Sequence, residues 1–217
     1  MEAVAPALKP HAGMGRLPTL ENGDRLSPEE FRRRYELRPD IKKAELINGV
    51  VYLGSPVRLS HHGEPHAILM MELGNYRRTV SGVRLGDNAT VRFQDGGEIQ
   101  PDGFLRYTGR RSGRSRLTAD YVYDAPELCV EVSGSTASYD LHEKMDLYRR
   151  HGVQEYLVWR VDDEAIDWWE LSDDTFIPLP PGADGVTRGK VFPGLNINLD
   201  ALVEELRDLW RMEEPVS

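Results

Sequence analysis

The sequence has little cysteine, no long apolar run and no surplus of basic residues. Its single cysteine, Cys129, lies within an apolar segment, so no disulfide can form inside the chain. This favours a reducing, intracellular compartment, and we expect a cytoplasmic location. No window approaches the roughly 20 apolar residues that span a bilayer, and the first residues lack the apolar stretch of a secretory signal. We therefore expect no membrane partner.

The net charge of −9 argues against indiscriminate binding to nucleic acid, because phosphate contacts require Lys and Arg to displace counterions. One segment, residues 106–116, departs from this background and contains five arginines and no acid. This basic island comprises Arg106, Arg110, Arg111, Arg114 and Arg116. It is either a nucleic-acid contact or a solvated loop without a ligand, and the sequence leaves both open.

The length of 217 residues and the apolar content of 40% are enough for one sizeable core, so a single domain is expected. Residues 1–26 are rich in Pro, Gly and Ala without periodicity and are predicted to be a mostly disordered lead-in. Residues 27–217 are predicted to form the domain.

The first half of the domain contains clear helix and hairpin signals. Ser27 precedes Pro28 in a capping pattern that starts a helix. The dipeptide Asn48-Gly49 separates two apolar runs and predicts a type I′ hairpin. Apolar spacing from residue 60 to about 80 predicts an amphipathic helix with Ser60 as its cap. Short β-rich runs follow near residues 83–86, 89–93 and 103–107.

The second half contains the two strongest strand candidates, residues 127–133 and 155–161, with a helix between them. Asp140 is expected to cap this helix and Gly152 to end it, which gives a βαβ unit. A hairpin over residues 166–179 and a last helix capped by Asp200 complete the order. We predict an α/β (α+β) fold, with a mixed sheet flanked by helices and an N-terminal hairpin extension.

Two acids in strand segments are candidates for chemistry. Alternation places Glu131 on one face of its strand, with Leu128, Val130 and Val132 on the other. A carboxylate in an apolar strand must be paired, hydrogen-bonded or bound to a metal. Asp102 follows a proline at the head of another strand, and two such acids could share one Mg²⁺ or Mn²⁺ ion.

A lysine and several histidines extend this set. Lys144 lies near the start of the predicted helix, where a cation is unfavourable unless an anion is close by. Tyr148 lies four residues further and shares its face. His61, His62 and His66 could suggest a zinc site, but the HExxH arrangement is lacking, and His62 is expected to lie near the cleft.

Three motifs occur in an order that matches a known family: ELINGVVYLGSP, QPDGFLRY and APELCVEVSGSTASYDLHEKMDLYRRHGVQEYLVW. Over about residues 27–205 the chain resembles the Uma-two family, which is classed with the restriction endonucleases in the PD-(D/E)xK superfamily. The resemblance implies a restriction-endonuclease-like fold and a metal-binding pair, Asp102 and Glu131. The superfamily lysine stands two residues after the strand acid, where this chain has Ser133.

In the Uma-two group this lysine has moved to the next helix, which implies that Lys144 is its counterpart and that Glu45 matches a recurrent family acid. The chain departs from the family at residues 132–136 and at Gly103, which replaces a bulkier residue.

Together these observations predict a Mg²⁺-dependent endonuclease that hydrolyses nucleic-acid phosphodiester bonds. DNA is the expected substrate, and a homodimer is expected because two strands must be cut. One alternative is a catalytically degenerate nuclease fold that binds DNA or a protein partner. Another is a metal-free hydrolase in which Asp102 and Glu131 act as acid and base.

Overall fold

The computed structural model of the protein describes residues 19–109, 113–118, 121–134 and 139–213. The helices of these ranges are α1 (Pro28–Glu36), α2 (Glu64–Thr79), α3 (Met145–His151) and α4 (Leu199–Glu213). The strands are β1 (Ala44–Ile47), β2 (Val50–Leu53), β3 (Val83–Asp87), β4 (Val91–Arg92), β5 (Glu98–Ile99), β6 (Gly103–Tyr107), β7 (Arg116–Thr118), β8 (Tyr121–Tyr123), β9 (Leu128–Ser133), β10 (Glu155–Arg160), β11 (Ala165–Ser172), β12 (Thr175–Pro178), β13 (Thr187–Arg188) and β14 (Asn196–Ile197).

The strands form two six-stranded mixed sheets and a small hairpin. The first sheet has the order β2-β1-β5-β4-β8-β7, the second has the order β12-β11-β10-β9-β6-β3, and β13 pairs with β14. Strands β9 and β10 are parallel and are joined through α3, as the predicted βαβ unit requires. The mixed α/β class is confirmed. The predicted hairpin extension, β1 and β2, forms one edge of the six-stranded first sheet.

The two sheets share one buried layer. Side chains from the first sheet, including Ile47 and Ile99, pack with Cys129 of β9 and Leu147 of α3. The other face of β9 packs in a separate cluster with α2 and α4. The predicted alternation along β9 is therefore confirmed, and it turns Glu131 toward the layer between the sheets.

Several helix and turn predictions are confirmed, and three caps are wrong. Ser27 accepts the N–H of Glu30 at 3.3 Å, and Asn48 and Gly49 have φ of 53° and 75°, as a type I′ turn requires. Ser60 and Asp140 instead lie inside wide π-helical turns, Leu59–Gly63 and Asp140–Lys144, which precede α2 and α3. At α4 the cap is Asn198, whose Oδ1 accepts the N–H of Ala201.

The last part of the predicted lead-in differs from the expectation. Leu20 is buried with Phe31, and residues 23–25 pair with β2 through Gly23 and Val51. Residues 19–26 therefore pack on the first sheet, while residues 1–18 lie outside the described ranges. Within those ranges, no helix has both the length and the apolar character needed to cross a membrane.

Candidate active site

The site lies where the chain passes from the first sheet to the second. Asp102 follows β5 of the first sheet and directly precedes β6 of the second. Glu45 comes from β1 and Glu131 from β9, so each sheet contributes one strand acid. Lys144 ends the π-helical turn that leads into α3. Irregular turns of this kind occur frequently at functional sites, because the extra residue redirects the side chains that follow.

The structure brings the two predicted metal ligands together. Gly103 pairs with Val130, and continuing this antiparallel register places Asp102 opposite Glu131 on the same face. Asp102 Oδ2 also accepts the N–H of Val132 at 2.8 Å. Added at Gly103, a Cβ would lie 2.7 Å from Met70 Sδ and 2.8 Å from Val130 Cγ2, so glycine allows this close approach.

Lys144 is buried among three carboxylates. Its Nζ lies 2.9 Å from Glu131 Oε2, and 3.5 Å from both Glu45 Oε1 and Asp140 Oδ1. Only 3% of the residue is exposed. The anion that the sequence predicts near Lys144 at this helix start is therefore present. A desolvated lysine of this kind is stable only because several acids compensate it.

The remaining oxygens of Glu131 and Asp102 also have protein donors. Tyr148 donates its hydroxyl to Glu131 Oε1 at 2.6 Å, which confirms the predicted shared face with Lys144. His62 Nε2 lies 3.2 Å from Asp102 Oδ2, and Lys43 Nζ lies 3.1 Å from Asp102 Oδ1. These bonds fix both carboxylates in place.

Glu45 and Asp140 have positioning contacts of their own. Glu45 Oε1 accepts the backbone N–H of Gln100 at 2.8 Å, just before the Pro-Asp pair. The buried hydroxyl of Ser133 hydrogen-bonds to the carboxylate of Asp140. Ser133 and Glu131 lie on the same strand face, so the side chain at position 133 opens onto the same cluster.

Burial and neighbouring charges shift the pKa values of these acids in opposite directions. Burial raises the pKa of Glu131 to about 8, and the charge of Lys144 opposes this only in part. Burial likewise raises the pKa of Asp140. For Asp102, burial is outweighed by the hydrogen bond from His62 and the nearby lysine charges, which lower its pKa well below the ordinary value. Asp102 is therefore ionised at neutral pH, whereas Glu131 readily takes up a proton.

The raised pKa of Glu131 predicts that the metal-free protein loses stability as the pH rises. Because the folded state binds this proton more tightly than the unfolded chain, the stabilisation is complete below pH 4.5 and is lost as the pH rises toward 8. Glu131→Gln should remove this dependence, which is on the order of a few kcal/mol. Urea unfolding in EDTA at pH 5 and pH 8 measures it. Equal pH dependence in the wild type and the variant would contradict the assignment.

The charge balance of the cluster fits a divalent cation. Once Glu131 has lost its proton, four carboxylates face two ammonium groups, an excess of two negative charges. The members are Glu45, Asp102, Glu131, Asp140, Lys43 and Lys144. In the described ranges, no three or more His, Cys, Asp or Glu side chains form a metal-binding group. Mg²⁺ commonly uses one or two carboxylates and retains several waters, so a pair of carboxylates suffices.

The three histidines do not form one site. His61 approaches Asp162 and stacks on Trp210, and neither of these residues belongs to the acid cluster of the site. His62 and His66 stack on each other, and His66 Nε2 lies 3.0 Å from the backbone oxygen of Asp102. This arrangement gives no support to the zinc alternative.

The described part of the basic island lies away from the site. The backbone N–H of Arg114 bonds to Glu127, and its guanidinium bonds to the carbonyl of Gly152. Glu127 directly precedes β9 and lies roughly 13 Å along that strand from Glu131. Gly152 ends α3. Arg106 is held by Ser115. Arg116 is exposed beside Asp124, and Arg110 and Arg111 lie outside the described residues.

Two charged residues of the cluster escaped the sequence interpretation. Lys43 stands two residues before Glu45, so the period-two alternation of a strand places both on one face. Asp140 stands four residues before Lys144, the spacing at which helical side chains meet. The spacing of Lys43 and Glu45 was a usable signal. The spacing of Asp140 and Lys144 was obscured, because an aspartate at a helix start is typical of an N-cap.

Comparisons with known proteins bear on the family and the fold. The family model Uma2, described as "Putative restriction endonuclease", matches residues 28–200. No curated protein matches the sequence. A crystal structure of "a putative nuclease belonging to DUF820" from Anabaena variabilis has the same fold, with a TM-score of 0.56 and 13% identity over 74% of this chain and 90% of that one. Because this family model matches residues 28–200, most of the chain, the chain belongs to the Uma2 family, described as that of a putative restriction endonuclease.

Proposed function

We propose that the protein is an endonuclease that hydrolyses nucleic-acid phosphodiester bonds, with DNA as the favoured substrate and Mg²⁺ or Mn²⁺ as the cofactor. The observation that carries the proposal is the buried junction at which four acids from both sheets and a helix start face two lysines. Such a concentration of buried charge is costly to fold and is typical of a functional site.

Asp102 and Glu131 would hold the divalent ion, which supplies Lewis-acid stabilisation of a phosphoryl oxygen and a bound water of lowered pKa. Tyr148 and His62 orient the two carboxylates through the hydrogen bonds described above. Lys144 stays protonated, since its carboxylate neighbours outweigh its burial and raise its pKa. Its fixed positive charge would offset the negative charge that develops on the phosphoryl group.

Glu45 and Asp140 act on the position of Lys144 from two sides. Each lies 3.5 Å from its Nζ, and neither is a predicted metal ligand. Because three acids hold the ammonium group of Lys144 in one position, it needs little reorganisation in the transition state.

A second candidate is a nuclease fold that binds DNA or a protein partner without cutting. One observation favours it: both oxygens of Asp102 and both oxygens of Glu131 already have protein donors. A cation would have to displace at least one of these donors to bind.

The decisive test is nicking of supercoiled plasmid by the purified protein. The proposal expects nicking with Mg²⁺ or Mn²⁺, none in EDTA, and none from Glu131→Gln with either metal. Nicking that survives EDTA would favour the metal-free carboxylate pair. A folded, metal-loaded protein that binds DNA and leaves it intact would favour the non-cutting candidate. Parallel reactions with RNA decide the substrate class.

Homodimerisation and a cytoplasmic location stay predictions, as does the division into a lead-in and a single domain. A sedimentation measurement in the presence of duplex DNA would test the dimer.

A further inference from the structure

The two lysines of the site differ in exposure and in charge compensation. The side chain of Lys144 is 4% exposed and has three carboxylates around it, whereas that of Lys43 is 28% exposed and has one, Asp102, within ion-pair distance. That one acid is shared, because Asp102 also accepts hydrogen bonds from Val132 and His62. Lys43 therefore carries the positive charge of this cluster that faces solvent.

The strand pairing holds Lys43 in this position. Lys43 directly precedes β1, and its carbonyl accepts the N–H of Gly54 at 2.9 Å. A Cβ added at Gly54 would lie 2.9 Å from the Cβ of Lys43 and 3.3 Å from its Cγ. The glycine thus leaves room for the lysine stem to lie across the end of β2. An ammonium group held in this way reaches Asp102 on one side and solvent on the other.

Building on the proposed function, we propose that Lys43 binds a phosphate of the nucleic-acid substrate and is released to do so when a divalent ion takes its place on Asp102. Lys43 Nζ lies 3.1 Å from Asp102 Oδ1, where it neutralises an oxygen that the ion would need. An ammonium has three donors, so Lys43 can contact a phosphate oxygen without rearrangement of the backbone. Lys43 and the ion are then successive partners of the same carboxylate.

Lys43→Ala should change metal binding and DNA binding in opposite directions. The variant should bind Mn²⁺ more tightly, because no ammonium competes for Asp102. In Ca²⁺, with absence of cleavage checked on a gel, it should bind a short DNA duplex about tenfold more weakly. The slope of log affinity against log salt should fall by about 0.9, the change expected from the loss of one phosphate contact. A lysine that only pairs with Asp102 would also tighten Mn²⁺ binding on its removal, but it would leave the salt slope and the DNA affinity unchanged.

The neighbouring Lys42 provides a matched control. It is exposed, and its Nζ bonds to the carbonyl of Pro39, away from the acids. Lys42→Ala removes the same charge from the same segment and should leave both affinities unchanged. Gly54→Ala keeps the lysine but crowds its stem, so it should shift DNA binding in the same direction as Lys43→Ala.

Isothermal titration with Mn²⁺ and fluorescence anisotropy with the duplex provide the readouts, and thermal unfolding confirms that each variant is folded. Unchanged DNA affinity and salt slope in Lys43→Ala, with a wild type that binds, would overturn the role of Lys43 alone. A wild type that binds neither Mn²⁺ nor DNA would overturn this inference together with the proposed function.

Discussion

Lys144→Ala is expected to lower the cleavage rate by at least about 100-fold and the free energy of unfolding by about 3–5 kcal/mol. The loss of stability arises because Glu131, Asp140 and Glu45 would remain buried without the charge that compensates them. The loss of rate arises because this charge acts mainly in the transition state. Divalent-ion binding should persist, since Asp102 and Glu131 are unchanged. Urea unfolding, Mn²⁺ titration and plasmid nicking measure the three effects separately.

Two variants calibrate this result. Lys190 pairs with Glu170 at the surface and its side chain is 63% exposed, so Lys190→Ala should cost less than about 1 kcal/mol and leave cleavage intact. Ser133→Lys in the Lys144→Ala background should restore part of the activity, because residue 133 opens onto the same acids. Full activity of Lys144→Ala alone would show that the lysine serves folding only.

Asp102→Asn should weaken Mn²⁺ binding by at least about 100-fold and destabilise the metal-free protein by about 2 kcal/mol. The amide keeps one acceptor, but its NH₂ group must face a donor, either Lys43 or the Val132 N–H. The pKa of Asp102 is lower in the folded protein than its ordinary value of 3.8. The ionised carboxylate therefore stabilises the fold above pH 3.8, and this stabilisation is lost as the pH falls below that value. The stability difference between the wild type and the variant should therefore shrink in acid.

Asp87→Asn is the control for this variant. Asp87 is an exposed acid that contacts His66, so the substitution alters a nearby histidine pair without touching the acid cluster. Mn²⁺ affinity should be unchanged. If Asp87→Asn weakens Mn²⁺ binding as much as Asp102→Asn does, the metal lies on the histidine side and the ligand assignment is wrong.

Local signals in the sequence were sufficient for several elements and for identifying Glu131 and Lys144 as charged residues that need partners. The Asn48-Gly49 turn, the cap at Ser27 and the end at Gly152 each depend on a few adjacent residues, and all three are confirmed. The face assignment of Glu131 follows from the period of a strand. The meeting of Lys144 with these acids could be expected only because a neighbouring anion was required.

What the sequence could not predict depends on distant partners. Asp140 has the composition of a helix cap, but Lys144 and Ser133 draw its carboxylate inward, and a π-helical turn replaces the cap. The existence of two sheets was missed because β4 and β5 are only two residues long, too short to show a period. Their pairing is determined by β1 and β8, which are far apart in the chain.

The location of Lys144 on a helix start, rather than on the strand of Glu131, has a consequence for folding. The charges of the site come from β1, the β5–β6 link, β9 and the turn before α3, so ion pairs such as that between Lys144 and Glu45 close long loops and form late. A partly folded chain then presents acids without their lysines, which repel both one another and nucleic acid. Under the proposed function, cleavage would therefore be confined to the fully folded state, and a nascent or damaged chain is expected to leave nearby DNA uncut.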